Sequence, residues 1–352
     1  MIELIAGLFL LIVGAELMVR AAVRVAVRLH VRPLIIGLTI VAFGSSAPQM
    51  AVSLQAAQAH TPDIAVGSVI GSSIFNILVT LGLSALIIPL RVSRQLVRLD
   101  IPLMIGASLL VFVLAGNEEF GRFDGALLLA ALALYLGLLL RQSRHSTRPH
   151  AEHPQAPTSW TVSLLMIVAG LAMLAFAAHL LLGAAVAVAT DLGLSERVIG
   201  LTVVAIGTSL PELATSLIAA LRGQRDIAVG NVIGANLFNL LGVLGLTAMI
   251  APVPLSVSPN ALDFDLPVML GVALLCLPIF YSGYRVTRAE GLLLLGLYLA
   301  YGLHVVSFTT GMPLAGRLER LMLFYVLPTL LTFLFFTSVR AWRRQHNKRD
   351  VP

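Results

Sequence analysis

Residues 37–53 read GLTIVAFGSSAPQMAVS, and residues 200–216 repeat this motif as GLTVVAIGTSLPELATS. The repeat extends beyond the quoted stretches. Residues 37–79 align on residues 200–242 without a gap, at a constant offset of 163, and 24 of the 43 positions are identical. Self-similarity at a fixed offset predicts two structurally equivalent units.

The composition predicts a membrane protein. Of the 352 residues, 58% are hydrophobic and 11% are charged, whereas soluble domains have about 25% charged residues. Apolar runs recur from end to end, at the length of about 20 residues that a helix needs to cross a bilayer core. The candidate helices are residues 2–20, 33–58, 64–89, 99–116, 123–140, 160–189, 197–221, 227–251, 262–281, 289–308 and 317–339.

The basic residues predict the orientation of these helices. With the N-terminus outside, 19 of the 23 Lys and Arg residues fall in cytoplasmic loops or in the C-terminal tail, as the positive-inside rule requires. The inside loops include the one that carries Arg20, Arg24 and Arg28, and the acidic loops with Glu118 and Asp265 fall outside. We therefore expect a multi-pass protein of the cell (inner) membrane with a cytoplasmic C-terminus.

The two motif copies predict the domain organisation. Five predicted spans separate their starts, so the copies enter the membrane in opposite directions. This predicts an all-α membrane protein with two inverted five-helix repeats, ten core transmembrane helices in all, as in many secondary transporters. The repeats are residues 1–140 and 160–308, residues 141–159 form a cytoplasmic linker, and residues 309–352 add one extra C-terminal helix and a basic tail.

Each motif copy predicts a helix that breaks in mid-membrane. Gly44 and Pro48 lie at the break in the first copy, and Gly207 and Pro211 lie there in the second. Proline removes a backbone donor and clashes with the preceding turn. Backbone carbonyls that are freed at this depth need a partner, and a cation can supply one. Hydroxyl groups stand beside both breaks, on Ser45, Ser46, Thr208 and Ser209.

The next helix of each half adds further polar side chains. It begins DIAVGSVIGSSIFN at residues 63–76 and DIAVGNVIGANLFN at residues 226–239. Ser72 and Asn76 are four residues apart and share one helix face. Simple helix packing with polar cross-links is the alternative interpretation. Two copies, each next to a broken helix, favour ion binding.

Glu212 is a carboxylate in mid-span. Such a group costs several kcal/mol unless it has a partner, and by default it marks an ion or proton pathway. A buried ion pair is the alternative, but the neighbouring spans have no basic residue at a similar depth. Glu16 and His179 also occupy equivalent repeat positions. For Glu16 the alternative to a transport role is an ion pair with Arg20, and for His179 it is a position at the outer membrane interface.

The strings GTSLPE and GNxxGxNxFN resemble the alpha repeats of the sodium/calcium exchanger (cation/calcium exchanger) superfamily, in its small prokaryotic antiporters with two alpha repeats. The resemblance covers the first ten helices. It implies ion sites between the second and third helices of each half, and exchange of sodium or protons for calcium by alternating access. The ligands that it implies are the side chains of Gln49, Glu212, Asn76, Asn239, Ser45, Ser46, Ser72, Thr208 and Ser209, and the backbone carbonyls of Ala42 and Ala205. The metal ligands among them are Glu212, Asn76, Asn239, Ala42 and Ala205.

Three positions depart from the family pattern. Gln49 replaces the usual glutamate, Asn239 replaces the aspartate that many members carry, and Ala235 lacks the hydroxyl that Ser72 keeps. One formal negative charge remains, and calcium affinity depends on the number of charged ligands. Exchange of calcium for sodium or protons is the leading hypothesis. The first alternative is exchange of a monovalent cation for protons, or of another divalent cation; the second is a non-transporting membrane sensor or assembly partner.

The sequence argues against an enzyme, because it has neither a paired nucleophile and base nor an HExxH-like motif. No cofactor is expected beyond the transported calcium, sodium or protons. The expected partners are the lipid bilayer and these cations, without nucleic acid.

Overall fold

The computed structural model of the chain describes residues 2–59, 61–144, 159–191, 203–281, 283–309, 315–326, 328–330 and 332. Eight helices in this part of the chain are long and apolar enough to cross a membrane. Two further helices, Pro33–Ser45 and Ala47–Gln58, meet at an angle of 41° and together are long and apolar enough for a ninth, broken span.

The helices of the first half are α1 (Ile2–Leu29), α2 (Pro33–Ser45), α3 (Ala47–Gln58), α4 (Pro62–Ile87), α5 (Leu96–Asn117) and α6 (Arg122–Arg144). The helices of the second half are α7 (Trp160–Asp191), α8 (Ala205–Thr208), α9 (Leu210–Leu221), α10 (Arg225–Ile250), α11 (Ala261–Tyr281) and α12 (Arg288–Thr309), and α13 (Ala315–Leu321) follows. Proline stands in the first turn of α2, α3, α4 and α9, where its missing N–H has no helical partner to lose.

Two small antiparallel sheets join the halves. Strand β1 (Leu90–Arg91) pairs with β4 (Arg285–Val286), and β2 (Glu119–Phe120) pairs with β3 (Leu255–Ser256). In each sheet, one strand comes from a loop of the first half and the other from a loop of the second half. The loops therefore hold the two halves together at their ends.

Helices α4 and α10 form the centre of the molecule. Their most apolar windows are 78% and 83% buried, compared with 22% for α6 and α7. Helix α4 packs against α3 and α8, and α10 packs against α9 and α2. Each central helix thus contacts helices of both halves. The close packing of α10 on α2 depends on Gly234, where a Cβ would lie 2.7 Å from the Leu38 carbonyl oxygen.

Three predicted boundaries differ from the structure. Helix α1 continues to Leu29, so Arg20, Arg24 and Arg28 lie on the helix rather than in a loop; arginine is a good helix former and its long side chain can reach the membrane surface. Residues 141–144, predicted as linker, belong to α6. Asp265, counted with an acidic outer loop although the helix predicted at 262–281 contains it, lies in α11, where Tyr301 and Asn260 donate hydrogen bonds to it.

Parts of three predicted segments lie outside the described residues. They are residues 145–158 of the linker, residues 200–202 at the start of the second motif copy, and residues 327, 331 and 333–339 of the extra C-terminal helix predicted at 317–339. Helix α13 and the turn Met322–Val326 are described for that last segment.

Candidate ion-binding site

Both motif copies contain a helix break. Helix α2 ends at Ser45 and α3 begins at Ala47, while α8 ends at Thr208 and α9 begins at Leu210. Each helix that follows a break has its proline, Pro48 or Pro211, in the first turn. The glycines Gly44 and Gly207 are the second-to-last residues of α2 and α8.

Gln49 is the centre of a polar cluster of the first half. Its side chain is 1% exposed. Its Nε2 donates to Ser68 Oγ at 2.9 Å and to Ser53 Oγ at 3.3 Å, and its Oε1 accepts from Ser72 Oγ at 3.0 Å. Ser72 also lies 3.3 Å from the backbone carbonyl oxygen of Ala205. The cluster therefore reaches the break of the second half.

Glu212 belongs to a matching cluster of the second half. Its side chain is 1% exposed, and its Oε1 accepts from Ser46 Oγ at 3.2 Å. Asn231 donates to the Glu212 backbone oxygen at 3.2 Å and to Ser216 Oγ at 2.9 Å, and it accepts from Ser45 Oγ at 3.2 Å. The hydroxyls at the first break thus contact the polar residues of the second half.

The carbonyl oxygens of Ala42 and Ala205 lie one turn before the breaks and differ in their partners. The oxygen of Ala205 accepts hydroxyl groups, from Ser209 at 3.0 Å and from Thr208 at 3.2 Å. The oxygen of Ala42 accepts the backbone amide four residues on at 3.0 Å and the Ser45 hydroxyl at 3.2 Å. Hydroxyl groups can rotate away from a carbonyl oxygen, so the Ala205 oxygen is the easier of the two to expose to an ion.

Three side chains near the breaks have unpartnered atoms. Neither Asn76 nor Asn239 has a hydrogen-bond partner for its amide among the described residues, and the same is true of Glu212 Oε2. All three side chains are at most 1% exposed. A buried polar atom without a partner costs about 1–3 kcal/mol, and such atoms in native proteins call for a ligand, water or ion.

The packing of the central helices places both asparagines beside the broken helices. Asn76 begins the π-helical turn Asn76–Leu81 of α4, and this turn packs against α9. Asn239 lies in the π-helical turn Phe238–Val243 of α10, and this turn packs against α3. Such turns are frequent at functional sites because they reorient side chains within a helix.

The charge of this site comes from Glu212. No group of three or more His, Cys, Asp or Glu side chains that could hold a metal ion occurs in the described ranges. Glu212 stands in the first turn of α9, where the helix dipole favours a negative charge. The remaining ligand atoms are neutral hydroxyl, amide and carbonyl oxygens, the types that hard cations such as Ca²⁺ prefer.

The structure brings most of the predicted ligands together at the two breaks. Ser45, Ser46 and Glu212 belong to the second cluster, and Gln49 and Ser72 belong to the first. Asn76 and Asn239 lie beyond these clusters and hydrogen-bond to neither. Ala235, which lacks a hydroxyl, packs in a small apolar cluster with Ala42 and Phe238.

Four polar residues of the clusters are not among the predicted ligands. They are Ser53, Ser68, Ser216 and Asn231. Helical spacing is the signal that could have found them. Ser68 precedes Ser72 by four residues, and Ser53 follows Gln49 by four, so each shares a helix face with a predicted ligand.

Glu16 and His179 lie away from both clusters. Arg20 donates to Glu16 at 2.5 Å, the ion pair that the spacing predicts, and Arg222, which directly follows α9, forms a second ion pair with the same carboxylate. His179 is exposed on the side of α7.

Comparison with known proteins identifies the family. Residues 1–141 and 162–307 match the family described as "Sodium/calcium exchanger protein". The chain belongs to this family. It is 39% identical over 308 residues to the putative antiporter CaxA of Alkalimonas amylolytica, an alignment that covers 85% of this chain and 96% of the relative. It is 29% identical over 337 residues to the sodium/calcium exchanger MaX1 of Methanosarcina acetivorans, covering 85% of this chain and 96% of that one.

A solved structure is similar in fold as well. The sodium–calcium exchanger NCX_Mj, soaked with 2.5 mM Na⁺ and 0.1 mM Ca²⁺, matches with a TM-score of 0.72 and 32% identity over 84% of this chain and 94% of its own. The resemblance that the motifs predict is therefore confirmed, as is an all-α membrane fold. This exchanger family member is a multi-pass membrane protein of the cation antiporter class.

Proposed function

We propose that this family member is a secondary active antiporter that exchanges calcium for sodium or protons by alternating access, with Glu212 as its charged ligand. Gln49, Asn76, Asn239, the hydroxyls at both breaks and the carbonyl oxygens of Ala42 and Ala205 complete the site in this proposal. The observation that carries it is the buried Glu212 carboxylate, whose Oε2 has no partner in the described part of the chain.

Several features support two inverted repeats at residues 1–140 and 160–308. Strands β1 and β3 occupy equivalent positions of the two halves, and so do β2 and β4, but the sheets pair β1 with β4 and β2 with β3. Each sheet therefore pairs non-equivalent loops, as expected when one half is inverted relative to the other. In addition, Tyr135 hydrogen-bonds to Asp100 at 3.5 Å in the first half, and Tyr301 hydrogen-bonds to Asp265 at 3.0 Å in the second. These partners are related by offsets of 165 and 166. Ten core helices with one additional C-terminal helix, a cytoplasmic linker at 141–159, and an outside N-terminus in the inner membrane follow from this arrangement and from the positions of the basic residues.

A second candidate keeps the fold and changes the ion. The site has one carboxylate, and the equivalent position in the first half is the neutral Gln49. One monovalent cation or one proton neutralises the single negative charge of Glu212, whereas a divalent cation leaves the site with a net positive charge. Exchange of a monovalent cation for protons, or of another divalent cation, is the alternative function that this observation favours.

The decisive experiment measures ion flux in proteoliposomes. Calcium uptake into vesicles loaded with sodium, or with an outward proton gradient, identifies the coupling ion. We expect Glu212→Gln to lower this uptake by about tenfold or more, because it removes the one formal charge of the site. Glu119→Gln is the matched control, because Glu119 is exposed in strand β2.

Each outcome of this experiment separates the hypotheses. Undiminished calcium uptake by Glu212→Gln would show that the site lies elsewhere. Uptake of sodium but not calcium, lost in the same variant, would support the monovalent alternative. A protein that binds neither calcium, sodium, manganese nor protons in calorimetry would instead be a sensor or assembly partner.

A further inference from the structure

A charged cavity lies outside the ion-binding site, where three helices begin or end. Its volume is about 280 Å³, and it is lined by Arg32, Arg94 and Arg98 together with Gln95 and Gln142. Arg32 directly precedes α2, and Gln142 lies near the end of α6. The lining residues between Arg94 and Leu99 lie at the start of α5. In the proposed orientation these three helix ends face the cytoplasm.

The three arginines that line the cavity have no carboxylate at ion-pair distance among the residues that the structure describes. The ion pairs in this part of the chain are those of Glu16 with Arg20 and Arg222. Asp226 interacts with the charge of Arg32 from beyond that distance. The cavity thus combines three positive charges that lack a contacting counter-ion.

The side chain of Arg94 is held in place without being neutralised. Its guanidinium carbon lies 6.0 Å from the centre of the Tyr284 ring, within the range of a cation–π interaction. A positioned guanidinium can present its planar set of donors to an anion with little further loss of side-chain entropy.

The second half shows that the fold does not need these arginines. At the offset of 165 that relates the two buried aspartates, Arg94 corresponds to Pro259 and Arg98 corresponds to Asp263. Helix α11 nevertheless begins with the same kind of π-helical turn as α5. The basic side chains are therefore not required by the helix start; they stand at the end of α5 that the proposed topology places in the cytoplasm.

We propose that this cavity binds the phosphate headgroup of an anionic phospholipid from the cytoplasmic leaflet. Arginine recognises phosphate oxygens through paired hydrogen bonds, and basic pockets between transmembrane helices on this side are known to accept such headgroups. Ile35 and Leu99 add an apolar part to the wall, which suits the glycerol and acyl region of a lipid better than free phosphate. A bound headgroup connects the start of α2 to α5 and α6.

The inference goes beyond the proposed function and is tested by binding, so it stands or falls separately from ion exchange. Native mass spectrometry of the full chain in detergent is titrated with phosphatidylglycerol, phosphatidylcholine and inorganic phosphate. We expect phosphatidylglycerol to bind at least about tenfold more tightly than phosphatidylcholine. Inorganic phosphate at the same concentration should not displace the bound phosphatidylglycerol. The double variant Arg94→Gln/Arg98→Gln should bind phosphatidylglycerol about tenfold more weakly, since it loses two charge-assisted contacts.

The chain offers a matched control at the same membrane face. Arg91→Gln/Arg285→Gln removes two charges from the paired strands β1 and β4, outside the cavity, and should retain the wild-type affinity. Equal affinity for the two lipids, equal loss in both double variants, or displacement of the lipid by inorganic phosphate would each overturn the proposal. If the glutamine variant does not yield folded protein, Arg94→Lys/Arg98→Lys keeps the charge, loses the paired donors and should still weaken binding, while the wild-type comparison of the two lipids is unaffected.

Discussion

Glu212 and Gln49 occupy equivalent positions in the two motif copies, but their side chains make different contacts. Gln49 uses both its amide nitrogen and its oxygen within its own half. Glu212 receives one hydroxyl from the other half and keeps one oxygen unpartnered in the described structure. At the scale of single residues, the site is therefore asymmetric in charge and in available ligand atoms.

Gln49→Glu tests whether the missing charge limits divalent binding. The hydroxyls of Ser53 and Ser68 accept from the Gln49 amide and can rotate to donate to a carboxylate instead, so the new side chain fits the same contacts. We expect calcium affinity to rise by about tenfold or more, because charged ligands increase it, and calorimetry measures this.

Gln55→Glu is the control for that substitution. It makes the same chemical change on the same helix, but Gln55 is exposed, so calcium affinity should stay at the wild-type value. An unchanged affinity in Gln49→Glu would mean that the number of carboxylates does not set the affinity of this site.

At the scale of elements, the site depends on how closely α10 approaches α2. The glycines of α10 allow this contact, since small residues let transmembrane helices pack backbone to backbone. The polar groups at the first break reach Asn231 and Glu212 because α10 and α9 pack on that side of α2 and α3. The helix breaks thus supply the polar groups, and the glycines of α10 let the helices approach closely enough for these groups to meet.

Gly234→Ala tests the close approach of these helices. The added Cβ would lie 2.7 Å from both the Leu38 carbonyl oxygen and the Ala42 Cβ, so the helices must separate. We expect a loss of stability of about 1–3 kcal/mol, the usual cost of overpacking, measured as a lower thermal midpoint in detergent.

Gly137→Ala provides the comparison within a helix. A Cβ there meets no heavy atom within 4 Å. The better helix propensity of alanine should therefore leave the stability unchanged or raise it by up to about 1 kcal/mol, and the thermal midpoint should stay the same or rise with it. Equal midpoints in the two variants would contradict the role assigned to Gly234.

At the scale of the whole molecule, α1 and α7 run along each other and pack on the remaining helices. Gly14 and Gly170 allow this contact, because a Cβ on either would lie 3.0 Å from the other's carbonyl oxygen. The ion pair of Glu16 with Arg222 connects α1 to the end of α9. This pair therefore links the peripheral helix α1 to the end of the helix that carries Glu212.

Arg222→Gln tests this connection. The side chains are partly exposed, at 54% for Arg222 and 22% for Glu16, so the pair should contribute at most about 1 kcal/mol. Amide hydrogen exchange near the end of α9 should become up to about fivefold faster, as measured by mass spectrometry.

Arg20→Gln is the matched variant, because Arg20 pairs with the same carboxylate but lies on α1 itself. It should leave exchange in α9 near the wild-type rate. Similar acceleration in both variants would show that the link between α1 and α9 is not specific to Arg222.

The sequence by itself determined the membrane class, most helix positions, the repeat, and the residues Glu212 and Asn76 as candidates, because these follow from apolar length and local spacing. Gln49 became a candidate through the resemblance of the motifs to the exchanger family. Only the tertiary structure decided that Ser46 meets Glu212, that Ser72 reaches the Ala205 carbonyl and that Arg222 pairs with Glu16. These partners are far apart in the chain or depend on which helix faces meet. In lipid, apolar faces are equally well solvated by acyl chains, so hydropathy does not specify the contacts; close packing and buried hydrogen bonds do.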